Sequence, residues 1–73
     1  MSQQATAVNL DCATDDELHQ IKEDPSAHHL YRCYAELLLE ARPLRRRGNI
    51  AAARAIEDLA DGLYAELPEE LKW

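Results

Sequence analysis

The sequence predicts an all-α fold: a short N-terminal helix, then a long antiparallel helical hairpin kinked near Pro43 and completed into a bundle by dimerisation. Three observations lead there. Ala and Leu dominate the apolar residues, with 12 and 11 copies among 73 residues. Val and Ile total only 4 and Phe is absent. Strands draw on β-branched and aromatic residues, whereas Ala and Leu are strong helix formers. Only 2 Gly and 3 Pro interrupt the chain, and its apolar residues recur at spacings of three and four, the period of a helix face.

Residues 1–13 hold no sustained period and are expected to form a flexible arm, with Val8 and Leu10 docking on the core. A single helical domain fills 14–73. Thr14-Asp15-Asp16-Glu17 reads as a capping box, with Thr and Glu satisfying each other's free backbone N–H groups. Asp15 and Asp16 add negative charge at the positive end of the helix dipole. The first helix is therefore expected over 15–24, with Leu18 and Ile21 on its apolar edge. It stops before Pro25, which disfavours helical geometry in the residue ahead of it.

Asp24 as cap and Pro25 at the first helical position start the second helix, expected over 25–47. Leu30, Tyr34, Leu37, Ala41 and Leu44 follow at spacings of 4, 3, 4 and 3, a heptad seam. Pro43 lies inside this helix, where it removes a hydrogen bond and crowds the carbonyl of Leu39; a kink is expected between Leu39 and Pro43. Gly48 is the left-handed stop, with Ile50 covering the last turn. Asn49 caps the third helix, expected over 50–67. Its seam is Ala52, Ile56, Leu59 and Leu63, flanked by Ala53, Ala60 and Leu67. A short turn over 68–73 folds Leu71 and Trp73 back as a lid. The tight connection at Gly48 makes the last two helices antiparallel neighbours.

Composition also narrows function. The formal net charge is −6, which disfavours direct nucleic-acid binding, because counterion release needs Lys and Arg on the contact face. No apolar run approaches the roughly 18 residues that span a bilayer. Met1 to Ala7 lacks the basic start and apolar core of a signal peptide, so a cytoplasmic protein is expected, with no membrane partner. Two cysteines, Cys12 and Cys33, do not make a disulfide framework.

Charge is unevenly placed. Residues 30–47 hold five bases and two acids, whereas 1–29 and 48–73 hold six acids each. Arg42, Arg45, Arg46 and Arg47 thus form a basic knob at the hairpin tip, suited to an acidic partner or a phosphate. Apolar residues exceed what one seam uses. Tyr31 and Leu38 flank the seam and Leu39 points away from it. With the Arg cluster, these are the expected partner-binding residues, since aromatic and Arg side chains are enriched among binding anchors. So small a domain often needs a second chain to complete its core, and a homodimer is expected.

No constellation points to catalysis or to a cofactor. His28, His29 and Cys33 are the one metal-like set; His29 and Cys33 stand four apart and share a helix face, but no second half-site has ligand spacing. Cys33 with His28 or His29 and Asp24 would be a nucleophile, base and orienting acid, yet all lie on one helix with no opposing wall. Paired acids such as Asp15–Asp16 and Glu69–Glu70 sit at caps and on solvated surface. Phosphate-loop, dinucleotide and calcium-loop patterns are absent.

From Gly48-Asn49-Ile50 through Ala53 and Ala60, about 20 residues resemble the second half of a tetratricopeptide repeat. Glu57 stands where that family places a large apolar residue, Pro68 falls about three residues late, and the upstream arm lacks the Trp-Leu-Gly pattern. Such arrays need about three units, so the resemblance implies shared hairpin geometry rather than a peptide-binding array. The expected function is a small non-catalytic interaction or regulatory module that binds itself and another protein. The alternative is an acidic inhibitor or nucleic-acid mimic, of the kind phage and mobile elements encode, docking on a basic protein surface.

Overall fold

A computed structural model describes residues 9–73. Of these, 77% are helical and none is in a strand. A 3-10 turn, Leu10–Cys12, precedes α1, Asp15–Glu23; α2, His29–Arg46, and α3, Ile50–Glu66, follow; a second 3-10 turn, Glu69–Leu71, ends the chain. Among the described residues no helix is long and apolar enough to cross a membrane.

The caps explain the boundaries. Thr14 Oγ1 accepts from Glu17 N at 3.1 Å and Glu17 Oε1 accepts from Thr14 N at 2.8 Å, the capping box that starts α1. Asn49 Oδ1 accepts from Ala52 N and starts α3. At the end of α2, Gly48 N donates to the carbonyl of Arg45 at 3.0 Å and Asn49 N to that of Leu44 at 2.9 Å. This paired closure requires the left-handed residue that Gly48 supplies, at φ +84°. Ile50, expected to cover that turn, stays 41% exposed.

The start of α2 differs from the sequence reading. The helix begins at His29, not Pro25. Asp24 spends its carboxylate locally: Oδ1 accepts from the Ser26 N–H at 2.9 Å and the Ser26 hydroxyl at 2.7 Å. That side-chain turn competes with helix nucleation. His28 becomes the cap, its Nδ1 accepting from Leu30 N at 3.1 Å.

The buried faces are also rotated from the expected seams. On α2 the buried residues are Tyr31, Tyr34, Ala35, Leu38 and Ala41; Leu30, Leu37 and Leu44 are only half buried. On α3 the buried residues are Ala53 and Ala60, continued by Leu67, a line repeating every seven. Ala52, Ile56, Leu59 and Leu63 lie on its flank. Each helix carries two adjacent apolar stripes, and period alone does not choose between them. Packing selects the stripe with small residues, because Ala lets helix axes come close and fill the space between them.

α2 is the central element and packs against both α3 and α1. Leu10 and Leu18 are the largest side chains fully removed from water, and Ala13, Tyr31, Tyr34, Leu38 and Leu67 join them in one cluster. The segment expected to be a flexible arm therefore contributes Leu10 and Ala13 to the core. Residues 1–8, Val8 included, lie outside the described residues.

Candidate functional site

The residues expected at a partner surface separate into two groups. Tyr31 and Leu38 are each 8% exposed and belong to the core. α1, the first 3-10 turn and the C-terminal segment cover the side of α2 that the sequence left open. Leu39 is half buried and packs against the core from the edge. Tyr31 and Leu38 are thus buried within the fold, and Leu39 is partly accessible at its edge.

The Arg cluster is divided. Arg42 Nη1 donates to Asp15 Oδ1 at 3.0 Å, and its other terminal nitrogen reaches the Asp11 carbonyl at 3.4 Å. Arg46 stands 3.8 Å from the same Asp15 carboxylate. Arg45 makes a bidentate pair with Glu57, at 3.0 and 2.6 Å, which ties α2 to α3. The pair holds the Glu57 carboxyl below its ordinary range and raises the Arg45 guanidinium, both chiefly through the shared hydrogen bond. Arg47 is exposed and carries no ion pair among the described residues. The expected basic knob is thus mostly a set of interhelical clamps.

An open groove of about 370 Å³ runs beside these clamps, walled by Asp11, Tyr34, Leu38, Ala41, Arg42, Arg45, Glu57, Ala60 and Asp61. Asp11 closes one end. Its Oδ1 accepts from the Tyr34 hydroxyl at 2.7 Å and its Oδ2 from Trp73 Nε1 at 3.3 Å. Burial, then donation to Asp11, raises the Tyr34 phenol above its ordinary pKa, so it stays protonated at neutral pH. Trp73 meets Tyr31, Tyr34 and Tyr64 edge to face, with ring centres 6.2, 5.0 and 4.7 Å away. The Tyr64 hydroxyl donates to the Trp73 carbonyl. The lid expected from Leu71 and Trp73 is therefore a closed aromatic latch. Tyr34 holds its proton, and its partner Asp11 accepts from two donors, one on α2 and one on the C-terminal segment.

His28 and His29 stack with ring centres 4.8 Å apart. His29 and Cys33 line a shallow groove of about 160 Å³ with Lys22, Arg32 and Glu36. Two cations beside that thiol oppose a metal ion. Among the described residues no three His, Cys, Asp or Glu side chains gather as a metal site.

The feature the sequence reading placed in the core is the one left outside. Leu59 is 63% exposed at the middle of α3. Successive residues of an α-helix turn by about 100°, which puts Ile56 and Leu63 beside Leu59, on one flank of the Ala53–Ala60–Leu67 line. Glu57 and Tyr64 fall on the opposite flank, with the clamps and the latch. On α2, Leu30, Leu37 and Leu44 likewise form a half-buried row at sevenfold spacing, away from Arg42 and Arg46. The signal for this surface was in the sequence, as the second stripe on each helix.

Compared with known proteins, the chain matches no family model, no curated protein and no solved structure.

Proposed function

We propose that this chain is a non-catalytic helical interaction module that self-associates through the apolar flank of α2 and α3 and works by binding protein. The exposure of Leu59 carries the reading. An antiparallel arrangement of the two helices sets the Ile56–Leu59–Leu63 row beside the Leu30–Leu37–Leu44 row as one surface. The link Arg47-Gly48-Asn49 and the Arg45–Glu57 pair support that arrangement. Pro43, which lies inside α2, supports a bend of that helix around its neighbour. Contiguous apolar surface on so small a chain is where another chain packs.

The acidic-mimic alternative rests on the net charge of −6. Asp11, Asp15 and Glu57 are already committed to partners within the chain, and the observations favour the apolar flank.

Light scattering on the wild type and on Leu59→Asp tests the reading. The wild type is expected at twice the 8.3 kDa chain mass, with and without reductant and at low and high salt. Leu59→Asp is expected to be monomeric with unchanged helicity, because a carboxylate without a partner resists burial. A wild type that stays monomeric at millimolar concentration overturns self-association. Loss of helicity in the variant places Leu59 in the fold instead.

A further inference from the structure

We infer that the second copy lies head to tail on the first, α3 against α3, about a two-fold axis near Leu59, so that the Arg tip of each chain faces the acidic end of the other. The inference rests on the self-association proposed above and adds the orientation and the contacts that select it.

Charge decides the direction. Residues 42–54 contain five Arg and no acid, of which Arg42, Arg45 and Arg46 pair with Asp15 and Glu57 within the chain and leave Arg47 and Arg54, whereas 55–73 contain six acids and one Lys. Two chains packed in parallel set tip on tip and acid on acid; two packed head to tail set opposite charges together along the interface rim. Arg47 at one end, and Glu66 and Glu70 at the other, are exposed and have no ion pair among the described residues; Arg54 lies on the far side of α3 from Leu59.

Shape agrees. Gly62 is exposed within α3, and a Cβ there would meet nothing within 4 Å. No contact inside the chain requires Gly at this position, although Gly weakens a helix relative to Ala. With Leu59 on the axis, Gly62 comes beside the partner's Ala55 on one side of it, and Leu63 beside the partner's Ile56 on the other. The small side lets the two helix axes approach closely, while the Ile56 and Leu63 side supplies the apolar contact. A two-fold contact of this kind is self-complementary and closes at two copies.

Directed cross-linking tests the orientation. In a Cys12→Ser, Cys33→Ser background, one chain carries Ala52→Cys and another Glu66→Cys. These positions lie about 21 Å apart along one helix at 1.5 Å per residue, beyond the roughly 7 Å Cα separation a disulfide tolerates. Head-to-tail pairing predicts the mixed disulfide when the two chains are combined and oxidised, and little product from either alone. Self-linking of Ala52→Cys chains in a dimer of wild-type mass overturns the orientation but not self-association. A dimer that links in neither way also overturns it, and a monomeric mass for the uncross-linked chain overturns both. A charge exchange gives a second readout. Arg47→Glu is expected to weaken the dimer about two- to five-fold at low salt, and adding Glu66→Arg to restore it; failure of the double variant to recover counts against the contact.

Discussion

Leu10 and Leu18 are the two large side chains that the fold removes wholly from water, and they reach the core from opposite sides of the Thr14 cap. Leu18 sits on α1, where its period marks it as apolar edge. Leu10 has no periodic neighbours, and only the closure of a 3-10 turn by Asn9, whose side chain accepts from Asp11 N at 3.0 Å, aims it inward. Leu10→Ala is expected to cost about 2–5 kcal/mol, the range for a buried Leu truncated in a packed core, measured as a lower urea midpoint with unchanged slope. A loss below about 0.5 kcal/mol would mean that the segment before α1 is dispensable. Tyr34 teaches the same lesson from the polar side. Its place in the seam was legible, whereas its hydroxyl partner, Asp11, lies 23 residues upstream, and no local pattern joins the two.

At the scale of elements, caps were readable and faces were not. The Thr14 box and the Gly48 stop depend on neighbours within five residues, and both formed as expected. The start of α2 failed because Asp24 had two local uses, helix cap or side-chain turn, and the turn onto Ser26 formed. The interhelical clamp between Arg45 and Glu57 depends on which faces meet. Glu57 has its folded pKa lowered from an ordinary value of 4.5. Its stabilising contribution is therefore complete above that value and is lost as pH falls through the lowered folded value. Glu57→Gln is expected to make stability less dependent on pH below about 4.5, while lowering it at neutral pH. Urea titrations of both chains across pH 2.5–7 check this, and parallel pH profiles would show that the clamp contributes nothing.

At the scale of the whole molecule, Trp73 ties the C-terminal segment to the first 3-10 turn and to both long helices. Trp73 meets three tyrosines from α2 and α3 and donates to Asp11 in the first 3-10 turn. The body measures 44 × 24 × 19 Å, and its core is shared among all the helical elements rather than held by α2 and α3 alone. Tyr31 meets the latch edge to face, and Tyr31 and Leu38 are both buried in the common core. Trp73→Ala is expected to cost about 2–3 kcal/mol and to speed hydrogen exchange at Leu10–Ala13 as well as at the C-terminal segment. Faster exchange at the C-terminal segment alone would show that the two ends are not coupled.

The sequence by itself determined what is local: the helical class, the number of helices, their caps within a few residues and the two-stripe apolar pattern on α2 and α3. Those features follow from backbone propensity and from hydrogen bonds closed within a turn or two. Only the tertiary structure decided which stripe went inside, which Arg residues became clamps, and that Asp11, Tyr34 and Trp73 share one latch. Those choices turn on how closely small residues let helices approach, and on contacts between positions as far apart as Asp11 and Trp73. Leu59 shows the division plainly: the sequence marked it as apolar at helical spacing, and packing on Ala53 and Ala60 left it outside.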